Sequence, residues 1–208
     1  MTFRISPRFT SEKLRWGMIE DRIDVHEDRL KGWFLKHARS LLSAAHSELA
    51  VLQLALGYFE GYAIYRNGSD STGRSKEFFR QAFMEVFPHS KRAKHQGVDP
   101  KPDDLNKLVD LFYKEARCGL FHDGMIRHRI VLAPSSAPIF VASHKTTREI
   151  TAIVIDPKKF LNAIDAHFTD YIAKLRDRNN TGLRAKFNAA WELKNPSVPL
   201  RLPPGGIP

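Results

Sequence analysis

Residues 113–124 read Tyr-Lys-Glu-Ala-Arg-Cys-Gly-Leu-Phe-His-Asp-Gly, and more of the fold follows from this stretch than from any other. It closes a run over residues 103–121 in which apolar side chains recur every three or four positions, as in an amphipathic helix: Leu105, Leu108, Val109, Phe112, Ala116 and Leu120. The pair Asp123-Gly124 that follows is a turn signal. The sequence therefore predicts a helix over 103–121 with Arg117 and His122 at its C-terminal end.

The same periodicity predicts helices on both sides of this one. We expect a charged, exposed helix within residues 11–32, a long helix over 33–66, a third over 74–87, one that begins after Asp156-Pro157, and a short one over 181–194. Pro157 suits a first helical turn because its missing N–H has no partner there. Gly57 and Gly61 each weaken the long helix by about 1 kcal/mol relative to alanine, and they can permit another helix to pack closely against it.

Short segments rich in Val and Ile separate the helix at 103–121 from the one after Pro157. Residues 127–133, 138–143 and 149–155 are bounded by turn residues, which is typical of strands. We predict a three-stranded antiparallel β-meander at about 127–155. The fold class predicted is mainly α, with an N-terminal charged helix over 1–32, a helical domain with the meander over 33–195, and a flexible proline-rich tail over 196–208.

Charge, cysteine content and the length of apolar stretches exclude several classes of function. A net charge of +10 indicates a polyanionic partner, with RNA or DNA preferred over an anionic membrane. Cys118 is the one cysteine, which excludes an intrachain disulfide and a thiolate metal cage, and suits a reducing cytoplasm. The longest apolar stretch is too short for a bilayer. We expect a cytoplasmic protein that contacts nucleic acid. We expect it not to associate with a membrane and to have neither a cofactor nor a metal site.

Arg117 and His122 are the chemically informative pair. A guanidinium can hold a phosphate through two parallel hydrogen bonds, and an imidazole changes protonation near neutral pH. Five positions correspond to about 500° of α-helical rotation, so the two side chains diverge unless the last turn unwinds. The alternative is a structural role, in which His122 hydrogen bonds to the last carbonyls of the helix.

The stretch from Tyr113 to Gly124 resembles the signature helix of the HEPN superfamily, whose members are helical bundles that carry an Arg, four to six residues, then a His. The Arg-Cys-Gly-Leu-x-His form is similar to a HEPN subgroup with a β-hairpin or meander after the motif. The order of elements also resembles these proteins, with residues 33–125 and 156–178 as the bundle. Many active members have a polar residue directly after the Arg, where this chain has Cys118.

The resemblance implies a metal-independent endoribonuclease in which Arg117 and His122 are catalytic. It also implies a homodimer whose two signature helices form one cleft, and a toxin–antitoxin or defence setting with a cognate antitoxin as partner. The alternative is a catalytically inactive HEPN-like module that binds RNA or protein. A further alternative is a helical interaction protein whose positive charge is incidental.

Several other residues are candidates for supporting roles. Asp123 is placed to orient His122, and Tyr113, one turn before Arg117, to touch a phosphate or base. Glu60 and Tyr65, late in the long helix, could reach the site. A basic loop predicts contacts with RNA phosphates: Lys91, Arg92 and Lys94.

Overall fold

The computed structural model of the chain describes residues 2–88 and 102–195, apart from Lys145 and Arg148, and describes only the backbone at 102–105. The fold is mainly helical, with one small three-stranded sheet. Its α-helices are α1 (Ile19–Arg29), α2 (Lys36–Leu41), α3 (Glu48–Asn67), α4 (Ser75–Val86), α5 (Pro102–Phe112), α6 (Pro157–Arg176) and α7 (Thr181–Lys194). The strands are β1 (Ile130–Leu132), β2 (Ile139–Ser143) and β3 (Ile150–Ile155). The predicted tail at 196–208 lies outside the described residues.

The first helices divide at a different place from the one predicted. α1 continues through a π-helical turn at Leu30–Leu35 into α2, so the predicted boundary at 32/33 falls inside a helical run. The predicted single helix over 33–66 is wrong, because the chain breaks between α2 and α3. His46 has a φ of 58°, and the Ser47 hydroxyl donates to the carbonyls of Leu41 and Ala44. A serine that binds nearby carbonyls competes with helical hydrogen bonding, which accounts for the break.

Phenylalanine side chains form the centre of the core. α3 packs against α2, α4, α6 and α7, and the Phe59 ring of α3 lies 5.0 Å from Phe79 and 5.4 Å from Phe83. Phe160 of α6 is stacked on Phe87 at 5.0 Å. Full burial of such a ring is worth about 2 kcal/mol or more. This aromatic cluster fixes α3, α4 and α6 relative to one another, and Phe112 at the end of α5 packs into it.

The start of α6 agrees with the sequence prediction. The carboxylate of Asp156 accepts a hydrogen bond from the Lys159 amide at 3.0 Å, and Pro157 occupies the first helical turn. An N-terminal cap of this kind satisfies an amide that has no partner inside the helix.

The sheet is mixed, so the predicted antiparallel meander is wrong in its strand order. The order is β1-β3-β2: β3 pairs antiparallel with β2 and parallel with β1. Ile153 and Ile155 of β3 are completely buried, which favours the central position for this strand. The connection from β1 to β2 contains Pro134 and Pro138, which cannot donate to a hairpin ladder.

Candidate functional site

The helix that carries the Arg–His pair is wound more widely than an α-helix. α5 continues into two π-helical turns, Tyr113–Arg117 and Gly119–Asp123. Their closing hydrogen bonds run from Cys118 N–H to the Tyr113 carbonyl and from Gly124 N–H to the Gly119 carbonyl, a spacing of five residues. Five residues of π-helix turn through roughly 410° rather than about 500°. Ideal π-helical geometry would therefore separate Arg117 and His122 by roughly 50° around the axis, where an ideal α-helix would separate them by about 140°.

The chain turns sharply back after the second π-helical turn. Gly124 has a φ of +71°, the left-handed conformation that ends many helices. The Met125 amide then donates to the Gly119 carbonyl at 3.3 Å, and the Arg127 amide donates to the Glu115 carbonyl at 3.0 Å. A Cβ on Gly119 would lie 2.5 Å from the Met125 carbonyl oxygen, so this close approach requires glycine. The predicted helix end at Asp123-Gly124 is confirmed.

Arg117 is held by contacts on several sides of its guanidinium. Its Nη2 donates to Oε2 of Glu60 at 3.0 Å. The guanidinium carbon lies 4.9 Å from the centre of the Phe121 ring and 5.5 Å from that of Tyr113, both within the range of cation–π contacts. The Arg117 side chain keeps 21% of its surface exposed. The guanidinium is thus fixed in position and still open to solvent.

Glu60 is bound from the other side by the connection between α3 and α4. The Ser71 hydroxyl donates to its Oε1 at 2.8 Å. Partial burial acts to raise the pKa of Glu60, but hydrogen bonds from Ser75 and Ser71 and the charge of Arg117 outweigh it and lower the pKa overall. Glu60 is therefore ionised at neutral pH and pairs Arg117 with α3, as the sequence suggested it could.

His122 and Asp123 lie on the last π-helical turn, and both are exposed. No hydrogen bond or ion pair of His122 occurs within the described part of the chain. The Asp123 carboxylate is paired with Arg127, at 2.8 Å from Nη2 and 3.1 Å from Nε. The described structure thus gives Asp123 a partner other than His122, and its predicted orienting role is not seen in this arrangement.

Tyr113 lies under Arg117, half-buried. Its ring meets the edge of Phe79 at 5.2 Å. Burial raises the pKa of Tyr113, against the opposing charge of Arg117. The structure places Tyr113 beside the guanidinium, where it supports Arg117 through its ring.

Two predictions for contributing residues have different outcomes. The ring of Tyr65 packs on His26 at 4.2 Å and on Phe187 at 5.5 Å, and not on Arg117 or His122. The predicted RNA-binding residues Lys91, Arg92 and Lys94 lie outside the described residues.

Sequence reasoning missed Glu115, a buried carboxylate next to the site. Its side chain is 8% exposed, and its Oε1 lies 3.8 Å from Nε of Arg129. Its Oε2 has no hydrogen-bond partner in the described residues. The position is adjacent to the apolar stripe of the helix, but in an α-helix a glutamate there would be expected to reach solvent, so its burial could not be predicted from the pattern of residues.

Among the side chains that the structure describes, no group of three or more His, Cys, Asp or Glu residues is suited to a metal ion. In the same part of the chain, no helix is both long and apolar enough to cross a membrane.

Comparisons with known proteins do not assign the chain to a family. No family model, curated protein or solved structure matches it. Function must therefore be inferred from the arrangement of Arg117, His122 and their neighbours.

Proposed function

We propose that the protein is a metal-independent endoribonuclease of the HEPN type, with Arg117 and His122 as its catalytic residues. The observation that carries this proposal is the π-helical winding of residues 113–123. It brings an exposed imidazole toward the same side of the helix as a guanidinium that Glu60, Tyr113 and Phe121 hold in place. The net charge of +10 supports an RNA substrate.

The reaction is an internal transfer within the RNA chain. The ribose 2′-oxygen attacks the adjacent phosphorus, the bond from phosphorus to the 5′-oxygen breaks, and the products are a 2′,3′-cyclic phosphate and a 5′-hydroxyl. One imidazole accepts the 2′-OH proton, and another supplies a proton to the leaving 5′-oxygen. Arg117 stabilises the negative charge that builds on the phosphate oxygens.

The contact between Arg117 and Glu60 is compatible with this role. A guanidinium has five N–H donors, and Glu60 engages it through Nη2. The remaining donors suffice for a phosphate, since the side chain is partly exposed. Glu60 acts here as a positioning residue that orients the guanidinium and reduces the entropy lost when phosphate binds.

A second copy of the chain supplies the second imidazole. One His122 cannot be base and acid in the same step, whereas two signature helices across a dyad present two imidazoles and two guanidinium groups. Phe121 and Met125, on either side of His122, are 48% and 60% exposed. These apolar side chains suit a contact between the two copies. A toxin or defence role with a cognate antitoxin follows from the family resemblance as part of this proposal.

The decisive test is cleavage of a single-stranded RNA by the purified protein in EDTA, with analysis of the product ends. We expect 2′,3′-cyclic phosphate ends, and loss of at least a hundredfold in rate for His122→Ala and for Arg117→Ala. His128→Ala is the matched control, because His128 is also an exposed histidine near the end of this segment. Cleavage that survives His122→Ala, or that EDTA abolishes, contradicts the proposal.

A second candidate function is an inactive HEPN-like module that binds RNA or protein. The ion pair with Glu60 favours it, because a carboxylate at 3.0 Å offsets the charge of Arg117. RNA binding measured by fluorescence anisotropy, with no cleavage under any of the conditions above, would support this candidate over the enzyme.

A further inference from the structure

Gly57 and Gly61 lie one turn apart on α3 and leave a space open beside the helix. A Cβ built on either residue meets no atom within 4 Å. The expectation that these glycines permit another helix to pack closely is therefore wrong. Alanine would fit at both positions and would stabilise the helix relative to glycine. No close contact requires glycine at either position.

The space beside these glycines is part of a cavity of about 230 Å³ between α1, the Leu30–Leu35 turn, α3 and α6. Its walls are predominantly apolar, and five aromatic side chains contribute to them: Phe34, Tyr58, Tyr62, Tyr65 and Phe168. Phe34 is 43% exposed, so it lies at the mouth of the cavity. An apolar cavity of about 150 Å³ accommodates benzene, so this one has room for two fused rings.

Three polar side chains of the cavity make hydrogen bonds with described residues, and His26 does not. The Tyr58 hydroxyl is hydrogen bonded to Nδ1 of His167 at 2.6 Å, and that of Tyr62 donates to Glu85 at 2.6 Å. Arg29 donates to the Ile5 carbonyl and to Asn195. His26 makes ring contacts with Tyr65 and two phenylalanines, but no hydrogen bond with any described residue.

The His26 imidazole is neutral in this setting. Burial, together with the positive charge of Arg29, lowers its pKa to about 3. A neutral imidazole has one N–H and one nitrogen that accepts a hydrogen bond. The cavity thus disfavours a further positive charge and offers an acceptor to a neutral guest.

We propose that this cavity binds a small, uncharged aromatic compound of two fused rings whose ring N–H donates a hydrogen bond to His26. The aromatic walls stack on the flat faces of the guest or meet its edges, and the open side of Gly57 and Gly61 admits its thickness. Such a site fits the general form of small-molecule pockets, which are mostly apolar with a few polar groups that fix orientation. It does not depend on the ribonuclease activity.

Binding of indole to the full chain tests the proposal, with benzofuran as the isosteric probe that lacks the N–H. We expect saturable one-to-one binding of indole by calorimetry, with a Kd on the order of 0.1 mM, as is ordinary for a fragment of this size. Benzofuran should bind about tenfold more weakly, which is the loss of one hydrogen bond. Absence of saturable indole binding overturns the proposal.

Substitutions in the cavity locate the site. Gly61→Leu should fill the space and abolish indole binding, whereas Gly182→Leu, at a helical glycine with equally open surroundings, should leave it unchanged. His26→Phe keeps a ring beside Tyr65 and should remove the preference for indole over benzofuran. Unchanged binding in Gly61→Leu overturns the location, and an unchanged preference in His26→Phe overturns the hydrogen bond. If Gly61→Leu does not fold, Gly57→Leu and His26→Phe provide the same decision.

Discussion

Replacement of Glu60 by glutamine tests whether an ion pair holds the guanidinium in the candidate site. The substitution preserves the shape of the side chain and removes its charge. At 3.0 Å, and with an effective dielectric constant of about 20, the gross attraction between Glu60 and Arg117 is roughly 5.5 kcal/mol. Desolvation and lost side-chain entropy offset most of it. Exposed pairs are worth about 0.2–1 kcal/mol, whereas breaking a buried pair costs about 3–5 kcal/mol.

The pair lies between these limits, because each side chain is 21% exposed. We therefore expect Glu60→Gln to lower the free energy of unfolding by about 1–2 kcal/mol at pH 7, measured by urea denaturation. The pKa of Glu60 is lowered in the folded protein, so its stabilisation is present above the ordinary carboxyl pKa and is lost as the pH falls through the folded value. The difference between parent and variant should shrink accordingly in acid.

A matched control is Glu77→Gln, which removes the same charge from the pair of Arg74 and Glu77. Those side chains are 55% and 62% exposed, so the loss of stability should be much smaller. In the cleavage assay Glu60→Gln should reduce the rate about tenfold, because the guanidinium is no longer oriented. A change in unfolding free energy below about 0.3 kcal/mol at pH 7, or a loss equal to that of the control, would refute the reasoning.

The structure makes further predictions for stability and assembly. Gly119→Ala brings a Cβ to 2.5 Å from the Met125 carbonyl oxygen and should cost about 2–3 kcal/mol in urea denaturation, whereas Gly57→Ala should stabilise by about 1 kcal/mol. Burial and Arg29 hold the pKa of His26 at about 3 in the folded protein. Between about pH 6.5 and 3, His26 is therefore protonated in the unfolded chain and neutral in the folded one. Stability should fall there by up to about 1.4 kcal/mol per pH unit, and His26→Phe should flatten that slope in denaturation curves. Met125→Glu should convert the proposed dimer to monomer in sedimentation velocity, and an unchanged dimer would exclude this face.

Local pattern was enough to predict most helices. Stripes of apolar residues gave the positions of α4 and α6, and the Asp156-Pro157 start of α6 could be recognised because its cap is made within four residues of sequence. Strand positions were also close. Strand order could not be predicted, because β1 and β3 run in the same direction and β2 runs opposite to both, whether the order is β1-β2-β3 or β1-β3-β2. Only the tertiary burial of β3 decides which strand lies in the centre.

The sequence was sufficient to predict which residues belong to the candidate site, but it was not sufficient to predict how they are arranged. The sequence identified Arg117 and His122 and located them at a helix end, since the turn signal Asp123-Gly124 is local. It could not specify that Glu60, 57 residues earlier, pairs with Arg117, because that contact depends on how α3 packs against the end of the motif helix. The burial of Glu115 was missed for the same reason.

The π-helical winding of residues 113–123 connects the fold to the proposed chemistry. A wider turn is less favourable than an α-helical one in isolation, so tertiary contacts must stabilise it. The amides of Met125 and Arg127 provide such contacts, because they return to the carbonyls of Gly119 and Glu115 on the widened segment. The chain that folds back toward the sheet therefore holds the helix in the wider form, in which less rotation about the axis separates Arg117 from His122. Without that return, the same motif would form an α-helix and its two side chains would diverge.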